Sequence, residues 1–373
     1  MKILFVLDLY KPHIWWSEIL FENIIDRLAK KWHEIRILTA RYDKKLPEYE
    51  KLDNWVEIYR VWWSRYSFTF LCLKKWMELA KDTDIIHCTT HNAAIPASVI
   101  WWLSKKKVVL TVHEVFGALW YRFMWLRWIF FMVFETFLFK FHYDKIICVS
   151  NYTRNCLRVY LWIKDSKLVT IYNWVDYDIW NSNNFSETWI RNIREKYSLQ
   201  KNYVWLFFWR PWIFKWLIYF VKAIPEILRV IPNFKVILNV SESVNNKATD
   251  VKEFIKENQL ESYIIWLWWV QYNELWNYIL AADLVVVPSV SEWFGFAAAE
   301  TCALWQQLVC SNIGALTEVV SWKINFVEPG DPKDIAEKVV DFYNWKFSNI
   351  SKKEFLWDDN VDQILTCYKS LLW

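Results

Sequence analysis

Glycine is nearly absent. The chain has 4 Gly among 373 residues, where average usage near 7% would give roughly 26. Glycine is the default residue wherever φ must be positive or a backbone must approach a ligand closely. Four are too few for the turns of a chain this long, so the composition excludes an ordinary globular sequence taken at face value. Other features are missing too. The seven cysteines include no Cys-x-x-Cys pair, and an odd count without such a pair excludes a disulfide framework and fits a reducing cytosol. The net charge of +4 with no long Lys/Arg run argues against nucleic acid as a partner. The opening "MKILFVLDLY" is too short an apolar run for a signal peptide, and Asp8 interrupts it. The most apolar region, 115–143, is broken by Arg122, Arg127, Glu135 and Lys140. No uncharged span therefore reaches the ~20 residues needed to cross a bilayer. A buried or partner-facing helix is one reading of that region, and shallow membrane contact is the sharper one.

What is present in excess is tryptophan. The 4 Gly and 30 Trp make 34 residues in all, about 9% of the chain and close to a normal glycine allowance plus a few tryptophans. The indoles fall in bends: "HIWWSE" (13–18), "FFWRPWIFKW" (207–216), "IIWLWWV" (264–270) and "SEWFGF" (291–296). Two readings compete. Either the protein is an aromatic-rich glycan- or membrane-binding protein, or its gene uses UGA for glycine and the printed sequence reads that codon as tryptophan. The second reading predicts Trp at turns and a few genuine Trp at packed positions.

Apolar runs of strand length alternate with helix-like segments. "KILFVL", "EIRILTA", "DIIHCTT", "KVVLTVH", "KIICVS" and "KLVTIY" precede an Asn/Ser-rich stretch; "YVWLFFW", "FKVILNV", "YIIWLW", "DLVVVPS", "QLVCSN" and "INFVEP" follow it. Short buried strands alternating with helices predict parallel sheets covered on both faces. Two α/β units in tandem follow: an N-terminal domain over 1–180, a linker over 181–202, a second domain over 203–345, and a helical tail over 346–373 that packs back on the first domain.

Ligands of doubly wound sheets bind beyond the carboxyl ends of the strands, so the strand-to-helix bends carry the chemistry. Arg210 and Lys215 lie between a strand and a helix start, where two cations add to the free amides and helix dipole to make an anion site; a solvated surface pair is the bland alternative. Glu292 sits in the next bend and Glu300 about two turns into the helix after it. Ionised carboxylates there suit recognition of sugar or ribose hydroxyls. Glu300 as an exposed helix residue is the alternative, against which the small residues of "FAAA" argue. His113 ends the strand "KVVLTVH", where a histidine can hold a substrate hydroxyl or move a proton. His87 and His91 are four apart, but no third ligand or HExxH pattern accompanies them. No P-loop or Ser-His-Asp arrangement stands out.

At these residues the chain resembles the retaining nucleotide-sugar glycosyltransferases of the GT-B fold, the bacterial group 1 type. With Trp read as Gly, "KPHIWWSE", "DIIHCTTH", "TVHE", "DKIICVSNYTR", "YNWVD", "WRPWIFKW", the Glu-x7-Glu segment through Glu292 and Glu300, and "FVEPGDPKDIAEKV" occur in the family's order across nearly the whole chain. The resemblance implies two Rossmann-like parallel-sheet domains facing a cleft. It implies transfer from a nucleoside-diphosphate sugar to an acceptor hydroxyl with retained anomeric configuration, without a metal ion or further cofactor. Arg210 and Lys215 would bind the donor diphosphate and stabilise its departing charge. The amides around Phe294, Gly295 and Phe296 would cradle sugar and phosphate. Glu292 would face the sugar hydroxyls, Glu300 the ribose, and His113 the transferred sugar near C1. Positions 15 and 16, here Trp15 and Trp16, would let the backbone approach the donor phosphates. Polysaccharide or glycolipid assembly in the cytoplasm, on a glycan or lipid-linked acceptor, is the implied setting; a sugar-nucleotide epimerase on the same architecture is the enzymatic alternative.

The departures are the indoles. Trp at 15, 16, 209, 212, 216 and 293 does not fit the family pattern, and Asn239 stands where glycine is common. The codon reading sorts the tryptophans: Trp180 and Trp357 match family aromatics and are expected to be genuine, while Trp32, Trp174 and most others are expected to be glycine.

Overall fold

The computed structural model describes residues 1–13, 16–62, 72–89, 93–121, 127–208, 214–240, 249–267, 270–272 and 274–373. The chain divides into two compact units, one of Met1–Trp174 with Trp357–Trp373, the other of Val175–Leu356.

In the first unit the described strands are β1 (Lys2–Val6), β2 (Glu34–Arg41), β3 (Tyr49–Lys51), β4 (Glu57–Trp62), β5 (Ile85–Thr89), β6 (Lys107–Val112), β7 (Lys145–Cys148) and β8 (Leu168–Thr170). Between them run α1 (Trp16–Lys30), α2 (Leu73–Ala80), α3 (Ala94–Ser104), α4 (Trp128–Phe139) and α5 (Asn151–Tyr160). The sheet order is β3-β4-β2-β1-β5-β6-β7-β8, parallel except where β3 meets β4. "KILFV" and "KVVLTV" are buried past their first residue, because helices cover both faces of a parallel sheet. The strand order reverses between β1 and β5, which places the switch point at the ends of those two strands, one strand away from β6.

The second unit holds β9 (Tyr203–Phe208), β10 (Phe234–Asn239), β11 (Ile264–Leu267), β12 (Leu284–Val287), β13 (Leu308–Ser311), β14 (Trp322–Val327) and β15 (Ser348–Ile350). Its helices are α6 (Glu187–Lys196), α7 (Phe214–Leu228), α8 (Thr249–Glu257), α9 (Leu275–Ala281), α10 (Phe296–Ala303), α11 (Leu316–Val319) and α12 (Pro332–Tyr343). Strands run in the order β11-β10-β9-β12-β13-β14-β15, with β15 antiparallel to β14. α6 lies within 181–202, where Arg194 reaches the Asp283 carboxylate at 3.3 Å and the Ala281 carbonyl at 2.9 Å. α12 starts from Asp331, whose carboxylate accepts from Lys333 N at 2.8 Å, with Pro332 in the first turn. The last helix, α13 (Trp357–Leu372), belongs to the first unit. It adds Trp357, Val361, Ile364 and Tyr368 to the core around Phe5, Phe21 and Ile24.

The tryptophans fall into two groups. Among the described residues, left-handed backbone at non-glycine positions occurs at Lys105, Ser198 and Gln259 and at six tryptophans: Trp32, Trp55, Trp162, Trp305, Trp322 and Trp345, with φ between 51° and 75°. Four of these end helices. Trp32 follows α1, with Trp32 N–H donating to Ala29 O and His33 N–H to Leu28 O. Trp305 after α10 and Trp345 after α12 repeat that pair of bonds, and Ile163 N–H reaches back to Leu157 O past Trp162. The paired bonds at Trp32, Trp305 and Trp345 are the Schellman geometry, whose left-handed residue is usually glycine; the bond past Trp162 spans one residue more. Trp32 is 94% exposed, so no packing rewards its indole. By contrast Trp76, Trp180 and Trp205 are wholly buried. Trp174 and Trp293 are not among the left-handed residues, but Trp174 stacks on Trp357 with ring centroids 3.0 Å apart, inside the 4.5–7 Å usual for aromatic pairs.

Candidate active site

In the second unit β9 and β12 are parallel neighbours, Leu284 opposite Trp205 and Val285 opposite Leu206. The strand order reverses between them, so this is the switch point where doubly wound sheets bind ligands. The connections 209–213 and 288–295 leave from these two adjacent strand ends.

The second connection is closely built. Glu292 is buried, and its Oε1 accepts from Ser289 Oγ at 2.8 Å. Its carbonyl accepts from Ala315 N at 3.1 Å. Gly314 passes directly beneath at φ 58°, where an added Cβ would lie 2.2 Å from the Glu292 carbonyl oxygen. Gly295, at φ 90°, caps the start of α10. A Cβ there would meet only the Leu316 Cδ2 methyl, at 2.7 Å, so Gly314 is required by space as well as by backbone, and Gly295 by its backbone. Phe294 is buried against Phe296 and Phe355. Any contribution of Phe294 to a ligand therefore falls to its backbone, at the positive end of the α10 dipole.

Glu300 is buried, not on the solvent face of α10, and Ala297, Ala298 and Ala299 are buried with it. Its Oε1 accepts from the Tyr272 hydroxyl at 2.8 Å, and that oxygen in turn accepts from Trp180 Nε1 at 2.8 Å. Two buried carboxylates thus flank one helix start, each bonded to a hydroxyl, and an ionised carboxylate is a hydrogen-bond acceptor.

Of the other sequence-derived residues, Lys215 lies in the first turn of α7 and Trp16 opens α1; their side chains, with Arg210 and Trp15, lie outside the described residues. In the first unit His113 directly follows β6 and is buried, its ring edge-on to Phe21 at 6.0 Å. His87 on β5 is bonded to Tyr368 Oη and to Thr111 Oγ1. Burial, assisted by His113, pushes its pKa down to about 3, which keeps it neutral and structural. His91 lies outside the described residues. Among the described residues no cluster of three or more His, Cys, Asp or Glu could hold a metal ion.

Three residues were missed by sequence reasoning. Tyr272 and Ser289 orient the two site carboxylates. Glu135 on α4 is 3% exposed and gathers the loop after His113, accepting from Phe116 N at 2.9 Å, Gly117 N at 2.6 Å and Trp120 Nε1 at 3.2 Å. Burial raises its pKa, opposed by those amides. A lone acid inside an apolar stretch was the signal for Glu135; the tyrosine and serine carried none.

Comparison with known proteins fits this geometry. Residues 17–179 match Glycosyltransferase Family 4, and residues 190–353 match the Glycosyl transferases group 1 family. With two Rossmann-like parallel-sheet units in that order, the chain is a glycosyltransferase of the group 1 family with the GT-B fold. An uncharacterized glycosyltransferase of Methanocaldococcus jannaschii is 25% identical over 400 residues, spanning 99% of this chain and 98% of its own. A glycosyltransferase from Rickettsia africae superposes with a TM-score of 0.78 at 19% identity, covering 100% of this chain and 98% of its own. Anabaena HepE in complex with UDP-glucose does so at 0.76 and 17% identity, over 99% and 100% of the two chains.

Proposed function

We propose that the enzyme moves a sugar from a nucleoside-diphosphate sugar to an acceptor hydroxyl with retention at the anomeric carbon, without a metal ion, in cytoplasmic polysaccharide or glycolipid assembly. The observation that carries this reading is the pair Glu292 and Glu300, both buried around the Gly295 helix start at the switch point of the second sheet. Donor complexes of a structurally similar protein, HepE with UDP-glucose, support the donor class. Seven free cysteines support a reducing compartment.

In this reading the bond from sugar C1 to the diphosphate breaks while the acceptor oxygen bonds to C1, and the acceptor's hydroxyl proton passes to the departing diphosphate oxygen. Retention requires the acceptor to arrive on the face that the diphosphate leaves. Charge building on the leaving group is met by Arg210, Lys215 and the amides at 294–296, a preorganised anion site of the kind that supplies much of enzymatic rate enhancement. Glu292 accepts from sugar hydroxyls, Glu300 from the ribose, and His113 contacts the transferred sugar. In the family it resembles, the backbone at positions 15 and 16 would approach the phosphates, a role that calls for residues without side chains.

We infer further that most of the tryptophans are glycine in the protein as its own cell makes it. Support comes from the left-handed Trp residues at helix ends and from the crowding of Trp174 on Trp357, where one of the two rings is expected to be absent.

The test uses protein made with glycine at UGA codons. It is incubated with nucleoside-diphosphate sugars and an acceptor, with and without chelator, and the anomeric configuration of the product is read by NMR. Turnover of donor alone to an epimeric sugar nucleotide would replace transfer by epimerisation. An inverted product, or activity abolished by chelator, would overturn the mechanism.

A further inference from the structure

The outer face of α4 is an apolar stripe. Ile129, Phe130, Val133, Phe134 and Phe137 recur at helical spacing and all are exposed, Phe130 by 68% and Phe137 by 62%. The helix has one acid, Glu135, and it is turned inward onto the loop after His113. Cations stand at both ends: Arg127 caps the N-terminus and Lys140 the C-terminus, each exposed. The neighbouring helix α3, tied to α4 through Tyr143 Oη, which donates to Ala94 O and Leu138 O, ends at exposed Lys105 beside exposed Leu103. From 105 to 140 the chain has Lys105, Lys106, Lys107, Arg122, Arg127 and Lys140 against Glu114 and Glu135, and of these cations Lys107 is paired with Asp144 at 3.3 Å. No described carboxylate pairs with Arg127, Lys105 or Lys140.

We propose that this face docks on an anionic lipid surface, with the α4 stripe seated at the boundary of headgroup and acyl chain and the flanking cations at the phosphates. An exposed apolar stripe of this kind marks an interaction site, and cations rimming an apolar helix face match an anionic bilayer. No described helix is long and apolar enough to cross a membrane, so the contact is peripheral. A second copy fits less well. Two α4 helices packed antiparallel about a two-fold axis would set Arg127 of each against Lys140 of the other, a like-charge pairing. None of the five stripe residues is Trp or Gly, so the stripe is the same under either reading of the tryptophans; of the rim cations, Lys105 and Lys140 stand over Trp101 and Trp162. Docking would also fix the helix that holds the His113 loop.

The proposal is tested by flotation of the full chain with vesicles of phosphatidylcholine alone and of phosphatidylcholine with phosphatidylglycerol, without donor or acceptor. Its outcome is therefore independent of whether the transfer reaction is right. The wild type is expected to float with the anionic vesicles only. The variant F130S/V133S/F137S is expected to bind them at least about tenfold more weakly, since three inserted apolar side chains are lost. R127E/K140E, which leaves the stripe intact, is expected to lose the anionic preference and decides the matter if the triple variant misfolds. No flotation, equal flotation with neutral vesicles, or an unaffected triple variant would overturn the proposal. So would self-association in sedimentation that the triple variant abolishes while lipid binding is absent.

Discussion

The Tyr272 hydroxyl donates to the Glu300 carboxylate at 2.8 Å while accepting from the indole of Trp180 at 2.8 Å. The tyrosine therefore fixes one carboxylate oxygen of Glu300. Hydrogen bonds to charged groups contribute about 1.5–3 kcal/mol. Tyr272→Phe is expected to weaken donor binding by roughly tenfold to a hundredfold on that scale, with a smaller change in kcat. Calorimetric titration of nucleotide donor measures it. Unchanged affinity in Tyr272→Phe, alongside a loss in Glu300→Gln, would show that Glu300 acts without its tyrosine.

Glu300→Ala and Lys215→Ala test the donor site itself. Each removes a charged group assigned to the nucleotide or its diphosphate, and each is expected to lower kcat/KM by about a hundredfold or more. Wild-type-like turnover in both variants would defeat the site assignment even though the fold stands.

Gly314→Ala probes the support under Glu292. The new Cβ would sit 2.2 Å from the Glu292 carbonyl oxygen, at a left-handed φ of 58°, so the loop must shift. A loss of about 3 kcal/mol and a Tm lower by roughly 6 °C or more are expected, with donor affinity falling too because Glu292 moves. A stable variant with lost affinity would confine the damage to the site.

Much of this was legible from sequence, for a physical reason. Strands such as "LVVV" and "KVVLTV" are buried throughout or nearly so, so they stand out as continuous apolar runs, and the bends after them carry Glu292, His113 and Arg210. β4 was not legible: "EIYRVW" contains the buried Arg60, which pairs with Glu50 of β3 at 2.7 Å. That partner lies on a three-residue edge strand that has no apolar run of its own. The bond from Tyr272 to Glu300 spans 28 residues and has no local signature. α6 was hidden within 181–202 because that helix is polar and buries none of its residues, leaving no apolar period to detect.

Glu135 supplies a pH test. Its folded pKa is raised above the ordinary carboxylate value by burial. The folded state therefore holds the proton more tightly than the unfolded chain. The stability linked to this proton is fully present below the unfolded pKa and is lost as pH rises through the folded one. Glu135→Gln, permanently neutral, is expected to flatten stability against pH in that window, while offering one acceptor where the carboxylate offers two. Urea denaturation of both proteins across mildly acidic to neutral pH measures the difference. Parallel curves would mean that another group sets the dependence.

The tryptophans give the last test, because backbone and packing predict opposite signs for the same substitution. Trp32, Trp162, Trp305 and Trp345 are left-handed residues just past helix ends. Replacing each with glycine removes a steric penalty on the order of 1–2 kcal/mol and little buried area, since all four are exposed. Trp180→Gly instead empties a fully buried site and breaks the indole bond to Tyr272, at a cost of about 3–5 kcal/mol or more. Thermal melts of the quadruple helix-end variant and of Trp180→Gly, made in a host that reads UGA as tryptophan, should therefore move in opposite directions. Sequencing the gene should find UGA at the four helix ends and UGG at 180. UGG at all five positions would mean that the indoles are native, and the helix ends would then be strained by design rather than by translation.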